Sequence, residues 1–213
     1  MGCWGYRLFE CDDDIDIACE LSCAFGEVEA NEIELSSMIN QTDMLAGREM
    51  RDLYKTAEYQ AELNSIVTRV REQLDSGLGD KLFEKYRAEE NEWHGKYRVI
   101  IIGALMMRAG AKIKNEDFQH LRELVPTIQC NNGYTLPLAD SGCFRYPGKV
   151  QFLAALDNYA TGTPRNYQEP SCFHCGKVDV DLGKVPMKCS RCQRAWYCDR
   201  VSHTFPTAPI LNR

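Results

Sequence analysis

Apolar residues recur along the first part of the chain at the spacing of helices rather than strands. Within the stretch 42–75, intervals of three and four residues place one set on a single helix face: Leu63, Ile66, Val67, Val70 and Leu74. The run from Val99 to Met107 is apolar nearly all round, so we predict that a helix over 97–108 is the central buried one. The pattern therefore predicts a mainly α fold.

Polar and helix-breaking residues predict where the other helices begin and end. The aspartates at 12–14 and 16 predict a solvated start for a helix that ends near 25–26. Further helices are predicted over 80–91, from a cap at Asn115 to a stop at Pro126, and from Pro147 to about 160. We expect a break near 55–56, and an irregular or hairpin-like excursion over 127–146.

Charge divides the chain into two parts. Of its 213 residues 44% are hydrophobic and 26% are charged, as in ordinary soluble globular proteins, and the formal net charge is −6. From residue 172 onward there are seven basic and three acidic residues, a net charge of +4. The remainder of the chain therefore carries a net charge of −10. We predict an acidic α-helical domain over 1–160, a linker over 161–171 and a basic, cysteine-rich module over 172–213. The acidic body argues against a protein that coats nucleic acid.

Cysteine usage depends on the compartment, and the sequence predicts an intracellular protein of the cytoplasm or nucleus. No apolar run reaches the roughly 20 residues that span a bilayer, and the N-terminus lacks the pattern of a secretory signal. Thiols stay reduced in such a compartment. We therefore expect metal binding or burial, rather than disulfides, for the 11 cysteines: a free thiol at Cys3, and buried thiols at Cys19 and Cys23.

Two Cys-x-x-Cys pairs, separated by thirteen residues, predict a zinc site near the end of the chain. Each pair lets two thiolates reach one metal ion at about 2.3 Å. A redox pair normally occurs once and near a βαβ pattern, and this region is too short and polar to bury five free thiols. The predicted metal ligands are the four paired cysteines and one that follows them: Cys172, Cys175, Cys189, Cys192 and Cys198. Between the pairs, the valines at 178, 180 and 185 predict short strands.

With Trp196 and Tyr197 directly before Cys198, this order of cysteines resembles the first half of a MYND-type zinc finger, over about 172–200. In that family seven cysteines and one histidine bind two zinc ions in a cross-braced arrangement. The resemblance implies that the first pair and Cys198 share one zinc with a cysteine four residues after Cys198. It implies that the second pair shares the other zinc with a later histidine and cysteine. The family's fingers dock short, often proline-containing peptides of partner proteins.

The sequence departs from the family pattern after Cys198. Ser202 stands where the next cysteine is expected, and no cysteine follows. Two arrangements for one zinc ion stay open: the two pairs together, or the first pair with Cys198 and His203. We expect one ion. Because Val201 and Ser202 can be encoded by the start of an intron, a retained intron is a hypothesis for the tail.

Two functions remain open at this point. The first is a non-catalytic, zinc-dependent interaction protein whose finger presents Trp196 to short peptide segments of partner proteins. The second is an enzyme of unrecognised class in the helical body, with the finger as a scaffold. His94 and His120 lie in no nucleophile motif, which favours the first and predicts two surface residues. A body pocket that gathers several titratable groups would favour the second.

Overall fold

The computed structural model describes residues 2–3, 5–29, 33–39, 52–131, 142–193 and 195–199. The body consists of helices α1 (Asp12–Glu29), α2 (Ala57–Gln73), α3 (Gly79–Ala88), α4 (Gly95–Ala109), α5 (Asn115–Leu124) and α6 (Tyr146–Asp157). Two short strands pair beside them, β1 (Cys130–Asn131) and β2 (Phe144–Arg145). The cysteine-rich region adds helix α7 (Asp179–Leu182) and strands β3 (Met187–Lys188) and β4 (Trp196–Tyr197). The predicted mainly α fold with a small C-terminal module is confirmed.

Helix α4 is the centre of the body, as its all-round apolar sequence predicts. The whole stretch from Val99 to Ala109 is buried, and the helix packs against α1, α2, α3 and α5. Gly110 ends the helix in a left-handed conformation, with φ of 74°, which glycine adopts without steric cost. A helix buried on every side explains why its sequence shows no polar face.

The helical stretch before α4 is interrupted twice. Thr56 caps α2, and its hydroxyl oxygen accepts a hydrogen bond from the Tyr59 amide at 3.3 Å, which confirms the predicted break near 55–56. Gly77, with φ of 110°, marks a wide turn over Leu74–Leu78 that joins α2 to α3. The part of the predicted stretch over 42–51 lies outside the described residues. Helix α3 buries Leu82, Phe83 and Tyr86 as its periodicity predicts.

The prediction of a solvated start for α1 is wrong for Asp14. Its carboxylate is buried and accepts hydrogen bonds from the Phe9 amide at 2.8 Å and from the Tyr97 hydroxyl at 2.7 Å. Desolvation raises the pKa of Asp14 to about 6, although both hydrogen bonds oppose that shift. The residue lies on the core face of α1, three positions before the buried Ile17 and seven before Leu21.

The cysteine expectations for the N-terminal part are also wrong. Cys19 and Cys23 are exposed, because they lie off the face of α1 that carries Ile17 and Leu21. Cys3 and Cys11 are joined by a disulfide bond, with their Cα atoms 4.1 Å apart, so Cys3 is not a free thiol. The bond closes a loop that leads directly into α1.

Two smaller predictions are corrected near the end of the body, and a third is confirmed. The N-cap of α5 is Lys114, one residue before the predicted Asn115, which starts the helix. Helix α5 ends at Leu124, and Pro126 lies in the 3-10 turn Val125–Thr127 that follows, which confirms the predicted stop. The strands that flank the excursion, β1 and β2, pair in parallel, so they form no hairpin; residues 132–141 lie outside the described residues.

The segment predicted as a linker, 161–171, is packed against the body. The Arg165 amide donates to the Met107 carbonyl at 2.9 Å, and the Gly162 amide donates to the Gly110 carbonyl at 2.8 Å. The Tyr167 ring is buried in the main core, edge-on to Phe9 at 5.5 Å between centroids. The chain therefore reaches the cysteines along a path fixed by the body.

Candidate metal centre

The first cysteine pair forms a tight turn that is tied to strand β4. The Gly176 amide donates to the Cys172 carbonyl at 2.7 Å, and the Cys172 amide donates to the Lys177 carbonyl at 2.9 Å. The Phe173 amide donates to the Trp196 carbonyl at 2.8 Å. Because Cys198 follows Trp196 by two residues, this bond places its thiol beside the first pair.

The second pair forms a similar turn at the end of β3. The Cys189 amide donates to the Ala195 carbonyl at 2.8 Å, and the Gln193 amide donates to the Cys189 carbonyl at 2.9 Å. The Ala195 amide points at the Cys192 sulfur, 3.4 Å away. Backbone amides directed at sulfur stabilise a thiolate, the form that binds metal. Strands β3 and β4 pair antiparallel across this turn, with Lys188 opposite Trp196.

Three of the five predicted ligands come together. The sulfur atoms of Cys172, Cys175 and Cys198 all lie within 4.8 Å of one another. Sulfur atoms bound at about 2.3 Å to one tetrahedral zinc ion lie about 3.8 Å apart, so a small contraction brings this cluster onto a single ion. The residues present therefore fit a zinc ion with one position still to be filled.

Cys189 and Cys192 stay outside this cluster. Within the described residues they belong to no group of three or more possible ligands, so the two pairs do not share one four-cysteine cluster. His203, the fourth ligand of the other arrangement that the sequence leaves open, lies outside the described residues. That Cys189 and Cys192 bind metal remains a prediction.

A hydrogen bond joins the two thiols of the first pair. A hydrogen bond from the Cys175 thiol, together with the backbone amides of Cys175, Cys198 and His174, lowers the pKa of Cys172 to about 5, against the opposing effect of burial. The same hydrogen bond, with burial, raises the pKa of the Cys175 thiol. The hydrogen bonds therefore favour the thiolate of Cys172, and the thiolate is the form of cysteine that binds metal.

The valines between the pairs lie outside strands, contrary to the prediction: the region forms helix α7 first, and its strand, β3, begins two residues after Val185. Val178 is the N-cap of α7, and its amide donates to the Asp181 carboxylate at 3.0 Å. Val180 lies within α7 and is exposed, and Val185 is exposed in the loop before β3. The hydrogen bond from Val178 to Asp181 favours a helical turn over an extended strand.

Three contacts join this region to the body, and none was expected from the sequence. Arg165 donates to both carboxylate oxygens of Asp181, at 2.8 and 2.5 Å. Gly176, with φ of 74°, approaches α6 so closely that an added Cβ would lie 1.9 Å from the Val150 carbonyl oxygen. Only long-range packing brings these groups together, so no local pattern in the sequence marks them.

The third contact is an aromatic residue from the N-terminal segment. Tyr6 is buried in the small core that surrounds the cysteines, with its ring centroid 6.3 Å from that of Phe173. Phe173 in turn lies 6.4 Å from Tyr197. The Tyr6 carbonyl accepts a hydrogen bond from the Gly148 amide at 3.0 Å, which fixes its position on α6.

The geometry defines a small cysteine-rich zinc-finger fold that is docked on a helical body. More particularly, residues 172–202 match the family model of the MYND finger, so this chain carries a MYND finger at that position. MYND fingers are zinc-binding modules for protein–protein interaction. No curated protein and no solved structure matches the chain. None of the helices in the described part combines the length and apolar character that crossing a membrane requires.

Proposed function

We propose that this protein is a zinc-dependent interaction protein whose finger docks short peptide segments of partner proteins. The observation that carries the proposal is the cluster of three cysteine sulfurs, within 4.8 Å of one another, inside a segment that matches the MYND finger. A zinc ion bound there fixes the turn beside β4, because small zinc modules gain their folding free energy from the metal. The finger's surface is then rigid enough to bind an extended peptide.

The surface around β3 and β4 has the features that such docking needs. Met187 is 46% exposed and Val185 is 58% exposed, so apolar side chains face solvent on the finger. The Lys188 ammonium lies 5.7 Å from the centre of the Trp196 ring, which is half-buried beside it. A two-stranded sheet offers backbone groups to a third, extended strand, while flanking apolar and aromatic side chains select the residues of that strand.

Peptide selection tests this proposal directly. A display library of short peptides is selected on the zinc-loaded 213-residue chain, and binding of the selected peptides is measured by fluorescence anisotropy. We expect binding to be lost with a chelator and to weaken by at least tenfold in Trp196→Ala. Trp93→Ala is the matched control, because Trp93 is 77% exposed and lies on the body. Selection of no peptide, or equal effects of the two tryptophan variants, would contradict the proposal.

The alternative of an enzyme in the helical body stays a hypothesis. A cavity of about 380 Å³ lies between the 3-10 turn Ser36–Met38 and α2. Its lining is mostly apolar and aromatic, and Glu62 is the carboxylate that it contains. Because acid–base chemistry normally needs several titratable groups in one pocket, this lining gives no specific support to an enzyme.

A further inference from the structure

The finger displays a basic strip, formed by the exposed cationic side chains of Lys184, Lys188 and Arg191. Lys188 is the last residue of β3, and the other two lie in the segments on either side of that strand. Seven of the nine residues over 183–191 are exposed, so nearly the whole segment faces solvent. Positive charge is therefore concentrated along one exposed part of the finger.

The fold does not neutralise the basic strip. Within the described part of the chain, none of its three cations forms an ion pair, whereas Arg165 is paired with the carboxylate of Asp181. The Lys188 ammonium lies 5.7 Å from the centre of the Trp196 ring and stays exposed there. An ammonium over a ring face can still pair with an anion on its solvent side.

Apolar side chains alternate with the basic ones in the same segment. Val185 is 58% exposed and Met187 is 46% exposed, and each follows or precedes a lysine of the strip. A nucleic acid presents a continuous row of phosphates, and the net charge of −10 on the remainder of the chain repels such a polyanion. A short peptide can instead place carboxylates and apolar side chains at neighbouring positions. The mixed segment therefore fits a peptide better than a nucleic acid.

The geometry of β3 indicates the order of residues in such a peptide. Met187 and Lys188 are consecutive residues of a strand, so their side chains point to opposite faces of the sheet. Side chains of a peptide strand added to this sheet alternate between the same two faces. A carboxylate on the face of Lys188 then comes with an apolar side chain on the face of Met187.

We propose that the segment docked on the finger is acidic, an extended peptide in which aspartate or glutamate alternates with apolar residues. Its carboxylates pair with the basic strip, and its apolar side chains contact Val185 and Met187. Charge complementarity of this kind excludes wrong partners and speeds the encounter with the right ones. The inference rests on the proposed function, because it states which peptides the finger accepts.

The composition of selected peptides tests this inference first. In peptide display on the zinc-loaded 213-residue chain, we expect aspartate and glutamate to be enriched at every second position over the unselected library. A selected acidic peptide is compared with its amide version, in which asparagine and glutamine replace the acids. We expect the amide version to bind at least tenfold more weakly. Raising the salt concentration from about 50 to about 500 mM should weaken only the acidic peptide, because salt screens exposed charges.

Charge reversal on the finger tests the position of the contact. We expect Lys188→Glu to weaken binding of the acidic peptide at least tenfold and to strengthen binding of a peptide whose acids are replaced by lysine. That gain keeps the variant informative. Lys85→Glu is the matched control, because Lys85 is exposed on α3 and its ammonium lies 5.1 Å from the centre of the Tyr86 ring. We expect it to change neither affinity by more than twofold.

The possible failures are distinguishable. Selected peptides without acidic enrichment, or equal affinities of the acidic peptide and its amide version, overturn this inference and leave the proposed function standing. Selection of no peptide overturns both. Loss of zinc in Lys188→Glu but not in Lys85→Glu, measured by chelator competition, would mean that the basic strip serves the metal instead.

Two further outcomes would assign the basic strip to another partner. A single-stranded oligonucleotide that binds more tightly than the acidic peptide would overturn the inference in favour of nucleic acid. A dimer of the native chain that is absent in Lys188→Glu, measured by analytical ultracentrifugation, would overturn it in favour of the acidic body of a second copy. We expect neither result.

Discussion

Arg165 holds Asp181 by both carboxylate oxygens, at 2.8 and 2.5 Å, and this ion pair joins the segment after α6 to the finger's helix α7. The two side chains are only 9% and 3% exposed. Charges removed from water in this way are stable only while each has its partner. The finger is thus fixed to the body by a buried contact rather than by a free tether.

We predict that Asp181→Ala lowers the free energy of unfolding by about 3–5 kcal/mol, because it leaves the Arg165 guanidinium buried without its counter-ion. Urea unfolding followed by circular dichroism measures the loss. Asp157→Ala is the matched control, since its pair with Arg122 is exposed, at 60% and 41%, and such pairs contribute about 1 kcal/mol or less. Equal losses in the two variants would refute the structural role of the buried pair.

Two glycines of the finger provide a second test of its docking. Gly176 and Gly183 both have a positive φ, 74° and 66°, so alanine costs about 1–2 kcal/mol of backbone strain at either position. Only Gly176→Ala also places a Cβ 1.9 Å from the Val150 carbonyl oxygen, whereas nothing lies within 4 Å of the Cβ position at Gly183. We predict faster proteolysis of the finger in Gly176→Ala alone. Similar proteolysis in both variants would show that the finger does not rest on α6.

Zinc retention is predicted to depend on Tyr6, although this residue is far from the cysteines in sequence. Tyr6→Ala opens a cavity in the finger's core against Phe173, at a cost of about 3–5 kcal/mol for a large aromatic residue. We therefore expect faster transfer of zinc to a chromogenic chelator. Trp93→Ala, which changes an exposed aromatic residue on the body, controls for general effects. An unchanged transfer rate in Tyr6→Ala would mean that the finger holds its metal without the N-terminal segment.

Asp14 gives the body a predictable dependence on pH. Its pKa rises on folding from 3.8 to about 6, so the folded state binds the proton more tightly than the unfolded state. The contribution of Asp14 to the free energy of unfolding is then largest at low pH and falls, by about 3 kcal/mol, as pH rises through that interval.

Unfolding curves of the native chain and of Asp14→Asn, measured at several pH values, isolate this effect. The variant carries no titrating group at that position, so the free energy of unfolding of the native chain minus that of the variant should fall from about pH 4 to about pH 6 and then stay constant. Because other titrating groups contribute equally to both chains, they cancel. A difference that does not vary with pH would contradict the burial of an ionisable carboxyl group.

Local patterns in the sequence predict where the helices lie. They do not predict which charged side chains are buried or how the helices pack together. The apolar stretch of α4 and the break before α2 follow directly from periodicity and capping. The burial of Asp14 could have been predicted too, because the residue shares a helix face with Ile17 and Leu21. A cluster of aspartates at a helix start usually indicates exposure to solvent, and this was the basis of the wrong prediction. The position of Asp14 on the apolar face of the helix determines its burial instead.

The candidate metal centre, too, was predicted from the sequence only in part. The cysteine spacing predicts the ligands of the first cluster, because two turns and one strand pairing bring these residues together. Tyr6 and Arg165 had no signal, since contacts between distant parts of the chain leave no local pattern.

Native mass spectrometry of the whole 213-residue chain tests the central claim, a zinc ion bound by Cys172, Cys175 and Cys198. We predict one zinc per chain in the native protein and in Cys192→Ser, and none in Cys198→Ser. Zinc retained in Cys198→Ser but lost in Cys192→Ser would contradict the claim and assign the ion to the two cysteine pairs. A native chain that binds no zinc would contradict it outright.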